Sequence, residues 1–305
     1  MVGMIYSTMV QIVTHSGSAH LDDFLSVCLI LSKDTDAIRI LRKPDVSEEE
    51  MQDRNIWKVD IGMIHDPLIH AFDHHQEGID DCAFSLLLKH WGLWEKAKEV
   101  YSWVPAMVKI DTSGLDSILS HHRISYDTYF RLMNSFVEEA IMNWFQKCEI
   151  ISKKKNKVLF YTMKGIGKQF LAGINDYYRL LEDFDANMEV KLISNQGIEE
   201  EIEKGFPIFL YLTKTPQYNA NLVKIFYSFK TKYYPNYYGP WITAFTYDRP
   251  KNTICLRRHG NPKKINLSRL ESLEKTEFAH PKGYVAVVKM MDEIELTNYI
   301  QHSLN

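Results

Sequence analysis

Short apolar runs and longer helical patterns alternate along the first part of the chain. "MVQIVT" (9–14) is a β-branched apolar run that ends in the turn "HSGSAH", and "LDDFLSVCLILSK" (21–33) then has apolar residues at helical spacing. The pattern repeats in the strand-like runs "AIRIL" (37–41), "IWKVDIG" (56–62) and "HAFDHH" (70–75), and in the helical "CAFSLLLKHWGL" (82–93). Strands that alternate with helices predict an α/β domain with a mostly parallel sheet.

The pattern of apolar and polar residues changes near residue 150, where "CEIISKKKNKVLFY" has a basic, polar break and then a strand-like run. We therefore predict two domains, residues 1–150 and 151–305, as the length of 305 residues also suggests. The second part has a helical stretch at about 166–185. Its strand-like runs are "MEVKLIS", "FPIFLYL", "WITAFTY", "TICLRR" and "GYVAVVKM". They predict a smaller α+β domain.

Composition excludes several classes of protein. The chain is 45% apolar and 25% charged, as in an ordinary soluble protein. It has no run of eighteen apolar residues and no signal peptide, so we expect no membrane partner and a cytoplasmic location. Its cysteines are far apart in the sequence, which argues against a disulfide framework or a thiolate zinc site; they are Cys28, Cys82, Cys148 and Cys255. A homo-oligomer is left open.

The net charge of −3 is unevenly distributed. Residues 1–150 have 13 Lys or Arg against 23 Asp or Glu, whereas residues 151–305 have 23 against 16. One interpretation is that two solvated surfaces simply differ. The other is an acidic domain that holds cations and a basic domain that holds an anionic substrate.

Histidines and aspartates follow the predicted strands at the ends where ligands collect in an open parallel sheet. One of them, Asp111, follows "MVKIDTSG" (107–114), which we read as another strand segment. The full set is His15, His20, Asp22, Asp60, Asp73, His74, His75 and Asp111. Each of these residues alone is more often a hydrogen-bonding group of a loop, but the ordered combination predicts a metal site.

The donor types indicate which ions would bind. Imidazoles mixed with carboxylates suit Mn²⁺, Fe²⁺, Co²⁺ or Zn²⁺, whereas an all-oxygen set would suit Mg²⁺. Six or seven donors are enough for two ions that share a carboxylate. Two ions about 3.5–4 Å apart are the usual arrangement for in-line attack on phosphorus.

The segment "HAFDHHQ" (70–76) places an Asp and two His side by side. Adjacent residues of an extended strand point to opposite sides, so His74 and His75 cannot easily serve the same face of one ion. Either the tripeptide is an accident of the surface, or its members have different roles.

The segments "THSGSAHLDD", "VDIGMIHDPLIHAFDHHQ" and "KIDTSG" resemble the Myg (UPF0160) branch of the DHH phosphoesterase superfamily. The pattern of that branch runs roughly THxGxFHxDE, DVGxxYDPxxxRFDHHQ and AIDNG. Near the other end, "EFAHPKGYVA" (277–286) is similar to its FxHxxGF segment. The resemblance spans most of the chain and is densest in residues 14–114.

The resemblance implies a role for each matching residue. His15 and His20 would bind one ion, Asp22, His74 and Asp111 the other, and Asp60 would lie between the two. Asp73 would hold an imidazole in the right tautomer. His75 would meet the substrate phosphate and serve as general acid to the leaving oxygen.

Four positions depart from the family pattern, and none of them removes an implied ligand. The family's Glu is Asp23 here, its aromatic residue before the second His is Ala19, its Tyr before "DP" is His65, and its Arg before "FDHHQ" is Ala71. The missing Arg bears on substrate contacts.

In DHH enzymes a smaller C-terminal domain binds the substrate, and two segments of this chain are candidates. Arg257 or Arg258 in "CLRRHGNPKK" (255–264) could hold a phosphate, and His259 and His280 could donate to its oxygens. An exposed basic turn would also explain "RRHG". Aromatic residues among lysines in "KTKYYPNYYGPW" (230–241) could stack on unpaired bases, although such rings more often pack internally.

The sequence thus predicts a metal-dependent phosphodiesterase with two ions, Mn²⁺ first and Mg²⁺, Co²⁺ or Zn²⁺ as alternatives. The expected substrate is single-stranded RNA or a short oligonucleotide, cut from the 3′ end. Two alternatives stay open: a phosphohydrolase for a dinucleotide or pyrophosphate, and a phosphate-binding or nucleotide-binding protein without turnover.

Overall fold

The computed structural model describes residues 10–304 except for 35, 134–135, 193–207, 213–219, 238, 248–251 and 261–262. The chain divides into two compact units, Met1–Ile174 and Asn175–Asn305. The predicted runs at 9–14, 188–194, 206–212 and 255–264 fall partly outside the described residues. The division into functional domains at residue 150 stays a prediction.

The first unit contains a six-stranded sheet in the order β4-β5-β3-β1-β2-β6. Strand β1 lies between β2 and β3, and these pairs and the β3–β5 pair are parallel. The outer strands β4 and β6 pair antiparallel with β5 and β2. The mostly parallel sheet is confirmed. Its strands are β1 (Val10–His15), β2 (Ala37–Lys43), β3 (Ile56–Val59), β4 (His65–Asp66), β5 (Ala71–Phe72) and β6 (Ile150–Ser152).

The central strands are buried, as expected where helices cover both faces of a parallel sheet. All four residues of β3 are buried, including Lys58. The Lys58 Nζ donates hydrogen bonds to the carbonyl oxygens of Asp53 and Ile69, at 2.9 and 2.5 Å. This pairing satisfies a buried ammonium and ties the segment before β3 to the segment before β5.

Nine helices are described in or entering the first unit. The predicted helix 21–33 is confirmed, and the predicted helix 82–93 is observed as Ala83–His90. The helices are α1 (Leu21–Lys33), α2 (Glu48–Gln52), α3 (Ala83–His90), α4 (Trp94–Val100), α5 (Trp103–Ser113), α6 (Leu115–His122), α7 (Tyr126–Met133), α8 (Phe136–Gln146) and α9 (Lys157–Asn187).

Two segments predicted as strands are helical. The run 107–114 belongs to α5, where Val104, Met107 and Val108 bury one face at helical spacing. The run after 156 opens α9, in which Leu159, Phe160 and Met163 are buried. Short apolar runs do not distinguish a strand from one turn of a buried helix, which explains both errors.

The second unit has its own six-stranded sheet, in the order β11-β12-β10-β9-β8-β7. Its strand pairs are antiparallel except for the parallel pair of β8 and β9. The elements are β7 (Met188–Leu192), β8 (Ile208–Leu212), α10 (Ala220–Tyr233), β9 (Trp241–Tyr247), β10 (Thr253–His259), β11 (Thr276–Ala279), β12 (Val285–Lys289) and α11 (Glu293–Gln301). Helices and a mainly antiparallel sheet agree with the predicted α+β class.

Among the described residues, no helix is both long and apolar enough to cross a membrane.

Candidate metal centre

Asp60 lies at the centre of the site, directly after β3. Its backbone is left-handed, with φ of 53°, a conformation that aspartate tolerates better than most residues. Its two carboxylate oxygens lie 3.3 Å from His15 Nε2 and 3.2 Å from His74 Nε2. Burial would raise the pKa of Asp60, but hydrogen bonds from these two imidazoles outweigh burial and lower it. Asp60 is therefore an ionised carboxylate between two imidazoles.

The loop after β1 brings His15 and His20 to the same place. His15 ends β1, and His20 is the residue before the first turn of α1. Their ring centroids are 5.6 Å apart. The backbone N–H of His20 donates to Asp23 Oδ1 at 3.0 Å, which fixes the entry into the helix.

Asp22, in the first turn of α1, is buried, and no residue that the structure describes donates a hydrogen bond to either of its carboxylate oxygens. Burial, followed by the charges of Asp60 and Asp111, raises its pKa well above the ordinary value. A buried carboxylate without a partner is costly, and a bound cation removes that cost. This orphaned carboxylate shows that the residues fit a metal ion.

His74 and His75 do not point to opposite sides, contrary to the expectation from an extended strand. Strand β5 ends at Phe72, so the two histidines lie in the loop that follows it. Their ring centroids are 4.3 Å apart, and both rings approach Asp60 Oδ1, with His74 Nε2 at 3.2 Å and His75 Nδ1 at 3.6 Å. Strand alternation therefore does not separate their roles.

Asp73 distinguishes the two histidines. Its Oδ1 lies 2.7 Å from His75 Nδ1 and also accepts from the His75 backbone N–H, while its Oδ2 accepts from the Met63 N–H at 2.7 Å. Asp73 therefore orients His75 and fixes the loop after β3. The His75 side chain is 54% exposed and that of His74 is 11% exposed, so His75 is the more accessible of the pair.

Asp111 reaches the site from the last turn of helix α5, and the expectation of a strand end is wrong for this residue. Its Oδ2 lies 3.2 Å from His74 Nε2, and its Oδ1 lies 4.0 Å from His20 Nδ1. Burial raises the pKa of Asp111. A helix and the sheet thus supply the donors together.

These donors form three overlapping groups in which the potential ligand atoms lie within 4.8 Å of one another. The groups share Asp60 and His20, and clusters of this kind could bind metal ions. They are His15–His20–Asp60, Asp60–His74–His75 and His20–Asp22–Asp111. The first matches the set implied for one ion, and the position of Asp60 fits a shared carboxylate. Which residues bind each ion stays a prediction.

The comparisons with known proteins agree with this geometry. Residues 11–87 match the family model MYG1_exonuc, described as Uncharacterised protein family (UPF0160). This segment is similar to the UPF0160 family. It contains β1, α1, β3 and the two histidines after β5, but neither Asp111 nor the second unit. The family name suggests a metal-dependent hydrolase. No curated protein matches the chain.

Sequence reasoning missed a buried ion pair in the UPF0160 segment. Asp23 Oδ2 lies 3.3 Å from His15 Nε2 and 3.8 Å from Arg42 Nη2, and both Asp23 and Arg42 are buried. Hydrogen bonds to Asp23 and then to Asp60 raise the pKa of His15 to about 10, in the absence of a metal. The only signal in the sequence was Asp23 itself, at the family's Glu position.

Arg42 also supports the loop between the two histidines. Its guanidinium donates to the carbonyl oxygens of Gly17 and Phe145, at 3.3 and 3.4 Å, and lies 4.5 Å from the centre of the Phe145 ring. Gln146 accepts a hydrogen bond from the N–H of Ala19 at 3.1 Å. Helix α8 and strand β2 therefore hold the loop that carries His20.

The four predicted substrate residues of the second unit have different environments. Arg258 Nη1 donates to the Ile265 carbonyl at 3.0 Å, beside the apolar core. His259 Nε2 lies 3.0 Å from Thr243 Oγ1, and burial, with a smaller effect of Arg257, lowers the His259 pKa to about 4. His280 lies in the turn after β11. Their role in substrate binding stays a prediction.

Proposed function

We propose that this protein is a metal-dependent phosphodiesterase that releases nucleotides from the 3′ end of single-stranded RNA or short oligonucleotides. The observation that carries the proposal is the convergence of carboxylates and imidazoles around Asp60, where the buried Asp22 carboxylate has no donor among the described residues. Its donor set suits Mn²⁺, and the scattered cysteines favour a cytoplasmic enzyme.

The centre has the donors for two divalent ions. His15, His20 and Asp60 would hold one ion, and Asp22, Asp60, His74 and Asp111 would hold the other. When bound, such ions polarise a phosphate and lower the pKa of a coordinated water. The ionised Asp60 belongs to both sets, and its position between His15 and His74 supports that assignment.

His75 is the candidate for proton transfer. Because Asp73 Oδ1 accepts from its Nδ1, the Nε2 of the ring is the atom left for the substrate. A protonated His75 would donate that Nε2 proton to the leaving oxygen. A positioned general acid of this kind contributes about 10²–10⁴-fold to a rate.

The test uses oligoribonucleotides labelled at either end and incubated with purified protein and Mn²⁺. We expect mononucleotides from the 3′ end, and we expect Asp60→Asn to remove this activity and the tight binding of Mn²⁺ measured by calorimetry. Asp80→Asn, which changes an exposed carboxylate of the same unit, is the matched control and should behave as the wild type.

Other outcomes would contradict the proposal. Release of phosphate from pyrophosphate or a dinucleotide, with intact RNA, would indicate a small-molecule phosphohydrolase. Mn²⁺ and nucleotide binding without turnover of any of these substrates would indicate a binding protein. Activity that Asp60→Asn retains would show that the cluster around Asp60 is not the active site.

A further inference from the structure

The second unit's sheet buries apolar side chains on both of its faces. One face is an apolar core that packs against helix α11 and the turn at 267–270. Its sheet residues are Ile242, Ala244, Ile254, Leu256, Ala279, Ala286 and Val288. Because side chains alternate along a strand, their neighbours in sequence belong to the other face.

Three of the four predicted substrate residues belong to that other face. Arg257 pairs with Val285, and Phe278 pairs with Val287, two residues further along β12. Alternation places His259 with Arg257, and the hydrogen bond from the His280 N–H to the Val285 carbonyl continues the pairing of β11. Arg258 faces the apolar core instead. Part of this face is covered, because Trp241 is buried there and the Tyr227 ring of α10 contacts both Trp241 and His259. On the β11 side of that part, the face has Arg257, His280 and Phe278.

Phe278, His280 and Tyr284 form a row of rings, which we name the ring platform. The His280 centroid is 4.1 Å from that of Tyr284 and 6.3 Å from that of Phe278. Phe278 is 49% exposed and Tyr284 is 43% exposed, so each offers an accessible ring surface. Exposed rings beside cations are the usual means by which proteins stack unpaired nucleobases.

The turn from His280 to Gly283 fixes the imidazole of the ring platform. The Gly283 N–H donates to the His280 carbonyl at 2.7 Å, and the Lys282 N–H donates to His280 Nδ1 at 3.1 Å. Because Nδ1 accepts, the proton of the neutral ring lies on Nε2, which is then a donor for a phosphate oxygen. Gly283 has φ of 65°, and a Cβ there would lie 1.8 Å from Asn266 Oδ1, so the turn requires glycine.

We propose that the ring platform stacks unpaired bases of single-stranded nucleic acid, while His280 and the exposed Lys282 contact the adjacent phosphates. The substrate class rests on the proposed function. Charge favours this ligand over an apolar protein surface. Arg257 lies on the same face as Phe278 and His280, and residues 151–305 have 23 Lys or Arg against 16 Asp or Glu.

Binding of a fluorescein-labelled twelve-nucleotide uridine strand tests the proposal. Fluorescence anisotropy is measured in EDTA, so that the strand is not cut. We expect Phe278→Leu and Tyr284→Leu each to raise the Kd by about tenfold, because leucine keeps an apolar side chain but has no ring to stack. Phe278→Tyr and Tyr284→Phe keep the ring and should bind within about twofold of the wild type.

Two controls separate stacking from a general loss of structure. Tyr161 is also 49% exposed but lies on α9 in the first unit, so Tyr161→Leu should leave the Kd unchanged. An abasic strand of equal length keeps its phosphates and should bind the wild type and Phe278→Leu equally. The proposal is overturned if both leucine variants bind uridine as the wild type does, if the tyrosine variant loses as much as the leucine variant, or if the abasic strand shows the same loss.

The failure of this inference differs from the failure of the proposed enzyme. Normal cleavage together with binding that does not depend on the rings would contradict the role of the ring platform and support the phosphodiesterase. Binding that depends on the rings, without cleavage in Mn²⁺, would support the ring platform and contradict the phosphodiesterase.

Discussion

The metal centre of the first unit and the ring platform of the second differ in how their polar groups are satisfied. Around Asp60 the carboxylates of Asp22, Asp23 and Asp73 are buried, and within the described part of the chain Asp22 has no hydrogen-bond donor. On the ring platform, Phe278 and Tyr284 are open to solvent, and the His280 imidazole is held by a backbone N–H. A cation would stabilise a buried carboxylate that has no donor, whereas exposed rings beside basic groups suit a ligand with planar bases and phosphates. The two proposals thus assign the chemistry to the first region and the affinity for nucleic acid to the second.

The largest expected effect is on the rate of RNA cleavage, when His75 is replaced and the affinities for Mn²⁺ and RNA are measured beside the rate. We predict that His75→Ala lowers the single-turnover rate of RNA cleavage by about 10²–10⁴-fold, because the proton donor is lost, while Mn²⁺ affinity and RNA affinity stay close to the wild type. His74→Ala should instead weaken Mn²⁺ binding in calorimetry, since His74 Nε2 lies 3.2 Å from both Asp60 and Asp111.

The exposed His121→Ala, on α6, is the matched control for both variants. Both histidines approach Asp60 Oδ1, so equal loss of Mn²⁺ in the two variants would show that His75 is a ligand and not a proton donor. If the Kd for RNA rises in His75→Ala as much as in Phe278→Leu, the assignment of chemistry to the first region and affinity to the second is wrong.

The second prediction concerns Arg42, a buried cation beside this acidic centre. We expect Arg42→Met to lower the free energy of unfolding by about 3 kcal/mol, because the buried Asp23 then keeps only the His15 imidazole as a partner, and the carbonyls of Gly17 and Phe145 lose a donor. Urea unfolding without metal measures the change. Arg39→Met removes an exposed arginine from the same strand and should cost less than about 1 kcal/mol.

A double-mutant cycle identifies the cause. If the weaker compensation of the Asp23 charge explains the loss, Asp23→Asn combined with Arg42→Met should be more stable than Arg42→Met alone. A double variant that is less stable would assign the loss to the contacts of Arg42 with Gly17 and Phe145 instead.

The sequence predicts which residues converge around Asp60 better than it predicts the elements that carry them. His15 and Asp60 follow buried parallel strands, so their convergence follows from topology. Asp111 converges too, but from a helix, because a window of eight residues cannot distinguish a strand end from the last turns of α5. The orientation of His74 and His75 depends on where β5 ends, which local alternation does not show.

Arg42 was beyond sequence reasoning for a different reason. In a strand that reads "AIRILRK", both arginines look like solvent-facing residues, yet Arg42 is buried and Arg39 is exposed. The difference arises from contacts with Gly17, Asp23 and Phe145, which are distant in sequence. In the second unit, alternation along β10 places Arg257 and Arg258 on opposite faces, and the packing of the core shows which of them faces it.

The smallest expected effect is on the pH dependence of stability, and it tests whether His259 is protonated, and so positively charged, in the folded protein. Burial lowers the His259 pKa to about 4 in the folded protein, against 6.5 for an ordinary histidine. Between these values the unfolded chain binds more protons, so stability is present above pH 6.5 and is lost as the pH falls towards 4. We expect the free energy of unfolding to fall by about 2 kcal/mol between pH 7.5 and pH 5 because of this group, measured by urea unfolding of the wild type against His259→Gln.

If the two proteins lose stability in parallel, His259 is protonated in the folded state and joins Arg257 as a cation. A steeper loss in the wild type would show that His259 is neutral, so that Arg257, Lys282 and the ring platform remain to attract the nucleic acid.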